Sequence, residues 1–216
     1  HTLLEHTLKV REELKMYYDV IIVGAGPGGI FAAYELMQNK PELKVAVFEA
    51  GHELAKRHCP IDGDKIKTCI GCKSCSIMSG FGGAGAFSDG KYNITNNFGG
   101  TLCDYIGKKK ALELMNYVDE LYMEYGGKGT KMYSTAGTHL KKVCLQNKLN
   151  ILDAQVRHLG TDINYVVLEN IFNFLKDKVE FHFNTPVTDI KKAENGYKVF
   201  TADGEYEAEK CIVSVG

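Results

Sequence analysis

In DVIIVGAGPGG, residues 19–29, an apolar run opens into a loop almost free of side chains. Its glycines fall as Gly24-x-Gly26-x-x-Gly29, and each position has a chemical use. Gly24 permits a tight turn from strand to helix, Gly26 leaves the backbone open to a pyrophosphate, and Gly29 lets helix and strand pack closely. Pro27 and Gly28 stand at the start of the helix, where free amides and a partial positive charge suit phosphates. Glu49 lies 25 residues past Gly24. At the end of a second strand, beside Ala50, its carboxylate can accept hydrogen bonds from ribose hydroxyls and would repel a 2′-phosphate.

Two further groups follow. GFGGAGAFSDGK, residues 80–91, sets five glycines around Phe81 and Phe87. Backbone at Gly83, Ala84 and Gly85 could then approach a flat aromatic ring, with Ser88, Asp89 and Lys91 as polar contacts. Just before it, Cys69-x-x-Cys72-x-x-Cys75 follows Cys59-Pro60 by ten residues. The spacing admits an iron–sulfur cluster, a tetrahedral zinc, a thiol pair cycling as a disulfide, or cysteines with no ligand.

The elements that must position these groups read as follows. The loop needs a strand over 19–23 before it and a helix from about Gly28 to Asn39 after it, stopped by Pro41. KVAVFEA is the second buried strand, so strand, helix and strand make a parallel unit. Residues 52–100 form a Cys/Gly-rich insertion too long to be idle. Ala111, Leu114, Met115, Val118, Leu121, Tyr122 and Tyr125 recur at helical steps and read as a core stripe. Beyond it come a helix in THLKKVCLQNKLN, a strand in ILDAQVRHL and a helix in NYVVLENIFNFLKD. VEFHF reads as a strand continued by TPVTDI after its proline. Strands broken at Asp203-Gly204 follow, closed by the buried strand CIVSVG. In RHLGTD, Asp162 is placed to cap a helix and His158 reads as a surface residue, while Arg157 or His158 is the alternative candidate near substrate. Residues 1–17 carry leucines and valine at helical spacing and are expected to form a leading helix.

Composition sets the outer limits. A chain of 216 residues, 44% hydrophobic and 25% charged, can build one sizeable core. A net charge of −1 gives no electrostatic case for nucleic acid or an anionic membrane, which leaves a small molecule as the expected partner. No apolar stretch reaches the ~20 residues of a membrane span, and no signal-peptide core is present. Seven cysteines, four of them crowded between Cys59 and Cys75, look unlike a secreted disulfide framework, so a cytoplasmic location is expected.

DVIIVGAGPGGIFAAYEL with VAVFEAG resembles the N-terminus of the two-domain flavoproteins, in which this fingerprint holds the ADP half of FAD. CxxCxxC, GFGGAGAFSDGK and RHLGTD together resemble, more narrowly, the FAD-dependent dehydrogenases grouped as NAD(P)/FAD-dependent oxidoreductases. The resemblance runs from about Tyr18 to Gly216. It implies a Rossmann-like α/β fold with a parallel sheet and a small antiparallel β element, and FAD as cofactor with NAD(P)H as a candidate electron donor. It also implies an adenine contact at the backbone of Val187, and CIVSVG as the strand before the loop that returns to the flavin. Arg57 is a candidate partner for the FAD phosphates or equally an exposed side chain, and Lys91 or amides near the flavin would raise its potential. The Gly-Asp pair that such proteins carry further on is missing, so residues 18–216 are expected to be an FAD-binding domain incomplete at its C-terminal end. The function expected is hydride or electron transfer through the flavin. The competing reading is a non-catalytic binding protein that retains the fold.

Overall fold

The computed structural model describes residues 17–216. The expected leading helix lies outside the described residues, apart from Tyr17, which is the first residue of a strand. Where the sequence reads as one domain with an insertion, the chain gathers into two compact units: the segments ending at Gly85 and starting at Phe172 form one, and Ala86–Ile171 the other.

The first unit is built on a six-stranded sheet. β1 (Tyr17–Val23) leads through the glycine loop into α1 (Pro27–Asn39) and on to β2 (Val45–Phe48). β6 (Glu180–His182), β7 (Val187–Ala193), β8 (Gly196–Thr201) and β9 (Gly204–Val213) complete it in the order β6-β2-β1-β9-β8-β7. β6, β2, β1 and β9 run parallel, whereas β9, β8 and β7 pair antiparallel. The ten-residue β9 therefore belongs to both parts, parallel to β1 on one side and hairpinned to β8 on the other.

β1 and β2 are apolar at nearly every position because the central parallel strands are buried on both faces. Tyr18, Ile21, Val23, Ala46, Phe48, Val199, Tyr206 and Ala208 form one buried cluster across the sheet. α1 buries Gly29, Ile30, Ala33, Tyr34 and Met37, the three-and-four spacing of one helix face. Its start follows from Gly26 in an extended N-cap conformation with Pro27 next.

One strand assignment needs correction. VEFHF and TPVTDI are not one continued strand: β6 pairs with β2 at one edge of the sheet, and β7 pairs with β8 at the other. Asn184, at φ +55°, turns the chain between them. The close of the chain is also more open than a buried strand, with Val213 and Val215 exposed.

The second unit holds a three-stranded antiparallel sheet, β3 (Lys91–Ile94), β5 (Gln155–His158) and β4 (Met132–Ser134), with β5 central. Around it lie α2 (Leu102–Ile106), α3 (Lys108–Tyr122) and α4 (His139–Gln146). α5 (Thr161–Leu175) carries the chain back into the first unit. The stripe expected to be core is core only in part: Ala111 and Leu121 are buried, but Leu114 is exposed. Asp162 sits inside the first turn of α5 rather than at its cap. Among the described residues no helix is long and apolar enough to cross a membrane.

Candidate functional site

A cavity of about 600 Å³ opens at the C-terminal ends of β1 and β2, within the first unit. Open α/β sheets place ligands at the carboxyl ends of their parallel strands. Gly24, Gly26, Pro27 and Gly28 form one side, Phe48, Glu49 and Ala50 another, and Met78, Ser79, Gly80, Gly83 and Ala84 a third; Val187 and Ser214 also line it. Of the residues expected at a cofactor, Gly29, Arg57 and Gly85 are not among those lining this cavity.

The glycines divide the work. Gly24 takes φ +99°. Gly29 packs so closely that a Cβ there would collide with the Gly24 carbonyl oxygen. A Cβ on Gly26 would meet nothing within 4 Å. Gly24 and Gly29 are thus demanded by the protein's own packing, while at Gly26 the bare backbone faces open space.

Glu49 is buried, 7% exposed, and ties this loop to its neighbours. Its Oε2 accepts the Ala25 amide at 2.7 Å, and its Oε1 accepts the amides of Gly51 at 2.8 Å and Gly80 at 2.9 Å. Three charge-assisted bonds hold the carboxylate rigid, and the lone pair left on Oε2 is the acceptor it can offer a ribose hydroxyl.

Residues 80–84 lie directly on the fingerprint. The Gly82 amide donates to the Ala25 carbonyl at 2.8 Å, and a Cβ on Gly83 would come within 3.2 Å of Gly26 Cα. The sequence keeps two glycine loops 50 residues apart, and the fold stacks them. Ser88, Asp89 and Lys91 belong to the second unit, where Lys91 pairs with Asp89 at 2.7 Å.

Arg57 is 2% exposed and donates four hydrogen bonds to backbone: Nε to Ser76 O, Nη2 to Ile77 O, and Nη1 to both Phe81 O and Gly83 O. Burial lowers its pKa from the ordinary arginine value, with the carboxylate of Glu49 acting the other way. The residue expected to meet phosphates is instead buried beneath the loop.

Ser214 was not singled out by spacing. Its amide donates to Val23 O, and its hydroxyl lies 3.0 Å from Val23 O and 3.2 Å from Gly24 O, clamping the fingerprint from the residue that follows β9. A lone serine inside the apolar run CIVSVG is the signal that could have found it.

Cys59, Cys69, Cys72 and Cys75 are free and exposed. Among the described residues no three His, Cys, Asp or Glu side chains come together to hold a metal ion. The iron–sulfur or zinc centre that the cysteine spacing admits therefore has no assembled ligand set among the described residues, where the thiols lie along an irregular surface segment. Arg157, the candidate near substrate, is engaged in the second unit: it forms a bidentate pair with Asp119, at 2.6 and 2.7 Å, and donates to Thr130 O.

The Thi4 family model matches residues 5–55, the stretch that carries the first glycine loop and Glu49. An uncharacterized protein of Clostridium beijerinckii is 30% identical over 147 residues, 67% of this chain and 24% of that one. Thiamine thiazole synthase of Eremothecium gossypii is 48% identical over 46 residues, 20% of this chain and 14% of the synthase. The chain thus spans a quarter or less of the length of these curated relatives. Among solved structures, glycine oxidase from Geobacillus kaustophilus superposes with a TM-score of 0.50 at 18% identity, over 94% of this chain and 56% of the oxidase. NikD, an amino acid oxidase essential for nikkomycin biosynthesis, gives 0.51 at 13% identity, over 94% and 52%. The likeness is one of fold: the chain has the Rossmann-like dinucleotide-binding α/β fold that these two oxidases share.

Proposed function

We propose that this chain is the FAD-holding part of an oxidoreductase acting on a small molecule. The observation that carries the reading is the convergence of Gly26, Glu49, Gly83 and Val187 on one cavity at the carboxyl end of the parallel strands. The open space above Gly26 and the start of α1 suit a pyrophosphate, Glu49 suits a ribose, and Val187 is an apolar seat for a base. Bound there, a flavin would supply hydride acceptance and onward electron transfer. The chain's own residues bind and orient it. The Thi4 match ends at residue 55, before the cysteine segment, so it supports nucleotide binding without assigning a thiazole product. An odd number of cysteines, four of them crowded between Cys59 and Cys75, is unlike a secreted disulfide framework and supports a reducing, cytoplasmic setting.

Incubation with FAD followed by desalting tests this. The expected result is a yellow protein with stoichiometric, releasable FAD, bleached by NADH, NADPH or an organic donor under anaerobic conditions. Protein that stays colourless supports a non-catalytic binding role on the same fold. Bound flavin that no donor reduces removes the oxidoreductase assignment and leaves FAD binding standing.

A further inference from the structure

Arg57 is a charged side chain almost wholly removed from water, and it donates to four backbone carbonyls of residues 76–83. That strip is the third wall of the cavity: Met78, Ser79, Gly80, Gly83 and Ala84 line it. The guanidinium sits behind the wall. Gly80 packs against both His52 and the Arg57 stem, since a Cβ there would fall 2.5 Å from His52 O and 2.7 Å from Arg57 Cδ, and Glu49 holds the Gly80 amide at the same point.

In a trans peptide the carbonyl and the following amide point in opposite directions. The strip shows the consequence at one peptide: Phe81 O turns to Arg57, and the next amide, Gly82, turns away to Ala25 O. Two peptides on, the arrangement recurs. Gly83 O also turns to Arg57, which directs the amide of Ala84, a cavity-lining residue, away from the guanidinium.

We propose that Arg57 is a positioning residue for the anionic dinucleotide: it fixes the 76–84 strip so that the Ala84 amide is presented as a donor opposite the Gly26 approach, without itself touching the phosphates. The inference rests on the FAD reading above. A direct phosphate contact and a positioning role predict different things. A contact depends on charge, so Lys would serve in part and the affinity would lose salt dependence when the charge is removed. The positioning role depends on a planar fork that reaches four carbonyls, which Lys cannot reproduce.

The test is the FAD dissociation constant of wild type, Arg57→Lys and Arg57→Met at low and high salt, with amide exchange at Ala84 followed in wild type with and without FAD. Both variants are expected to weaken FAD by about tenfold or more, with the wild-type salt dependence retained, and FAD is expected to slow Ala84 exchange in wild type. Variants that bind FAD as wild type does would overturn the inference. So would rescue by Lys, a salt dependence lost only in Arg57→Met, or an Ala84 amide indifferent to FAD. The exchange measurement stands even where Arg57→Met does not fold. Wild-type protein that takes up no FAD instead overturns the flavin reading itself.

Discussion

The Ala25 amide, inside the first glycine loop, donates to Glu49 Oε2 at 2.7 Å across 24 positions of sequence. The same carboxylate takes Gly80 from the second glycine loop. One side chain thus registers two loops that the sequence keeps far apart. Glu49→Gln retains the shape but replaces one acceptor oxygen with a donor, leaving at least one buried amide unpaired. The expected loss is about 1–3 kcal/mol of unfolding free energy, together with weakened FAD binding. Urea titration with a parallel flavin titration checks both. Intact stability with lost FAD affinity would confine Glu49 to the ribose.

Gly26 and Gly29 should respond in opposite ways to the same substitution. A methyl at Gly26 enters open space, whereas at Gly29 it meets the Gly24 carbonyl. Gly26→Ala is expected to keep the wild-type melting temperature and weaken FAD by about tenfold or more, since the pyrophosphate needs that approach. Gly29→Ala is expected to lose about 1–3 kcal/mol of stability through forced separation of strand and helix. Thermal melts of the two proteins without cofactor separate them directly.

What the sequence made legible was local. The strand, loop, helix and second strand around Gly24 and Glu49 follow from periodicity and glycine spacing, because each is fixed by residues within a few positions of itself. Sheet order is a different matter: β6 and β7 are separated by four residues, yet they occupy opposite edges, a choice made by distant partners in β2 and β8. Arg57 illustrates the same limit. Its neighbours in sequence say nothing of the four carbonyls, 19 to 26 residues on, that hold it. The amphipathic stripe of α3 showed where a face would lie, but Leu114 shows that a face need not be covered.

In the second unit, Asp119 and Arg157 join α3 to β5 by a bidentate pair with side chains only 9% and 11% exposed. Removing one member leaves the other charge without its partner in a poorly hydrated place. Asp119→Leu is expected to cost about 3–5 kcal/mol, while combining it with Arg157→Met should recover most of the loss, since apolar side chains need no counter-charge there. Equilibrium unfolding of single and double variants completes the cycle. An additive double variant would show that the pair is not coupled.

His182 gives the first unit a pH-dependent stability. Its ring stacks on Phe48 at 4.3 Å and 4°, against a residue that also lines the cavity, and Nε2 lies 3.3 Å from Tyr18 Oη and 3.1 Å from Glu180 Oε1. Burial lowers its pKa below the ordinary 6.5, outweighing the opposing pull of Glu180. Burial likewise raises the Tyr18 hydroxyl, so Tyr18 stays neutral across this range. The sign follows: below pH 6.5 the unfolded chain binds a proton that the folded ring resists, so folding loses stability as pH falls from there toward the folded value, and nothing is lost above it. Unfolding free energy measured from pH 8 to pH 5 should therefore decline below about 6.5, and His182→Phe should flatten that decline while preserving the ring packing on Phe48. An unchanged pH profile in the variant would assign the acid sensitivity to other groups.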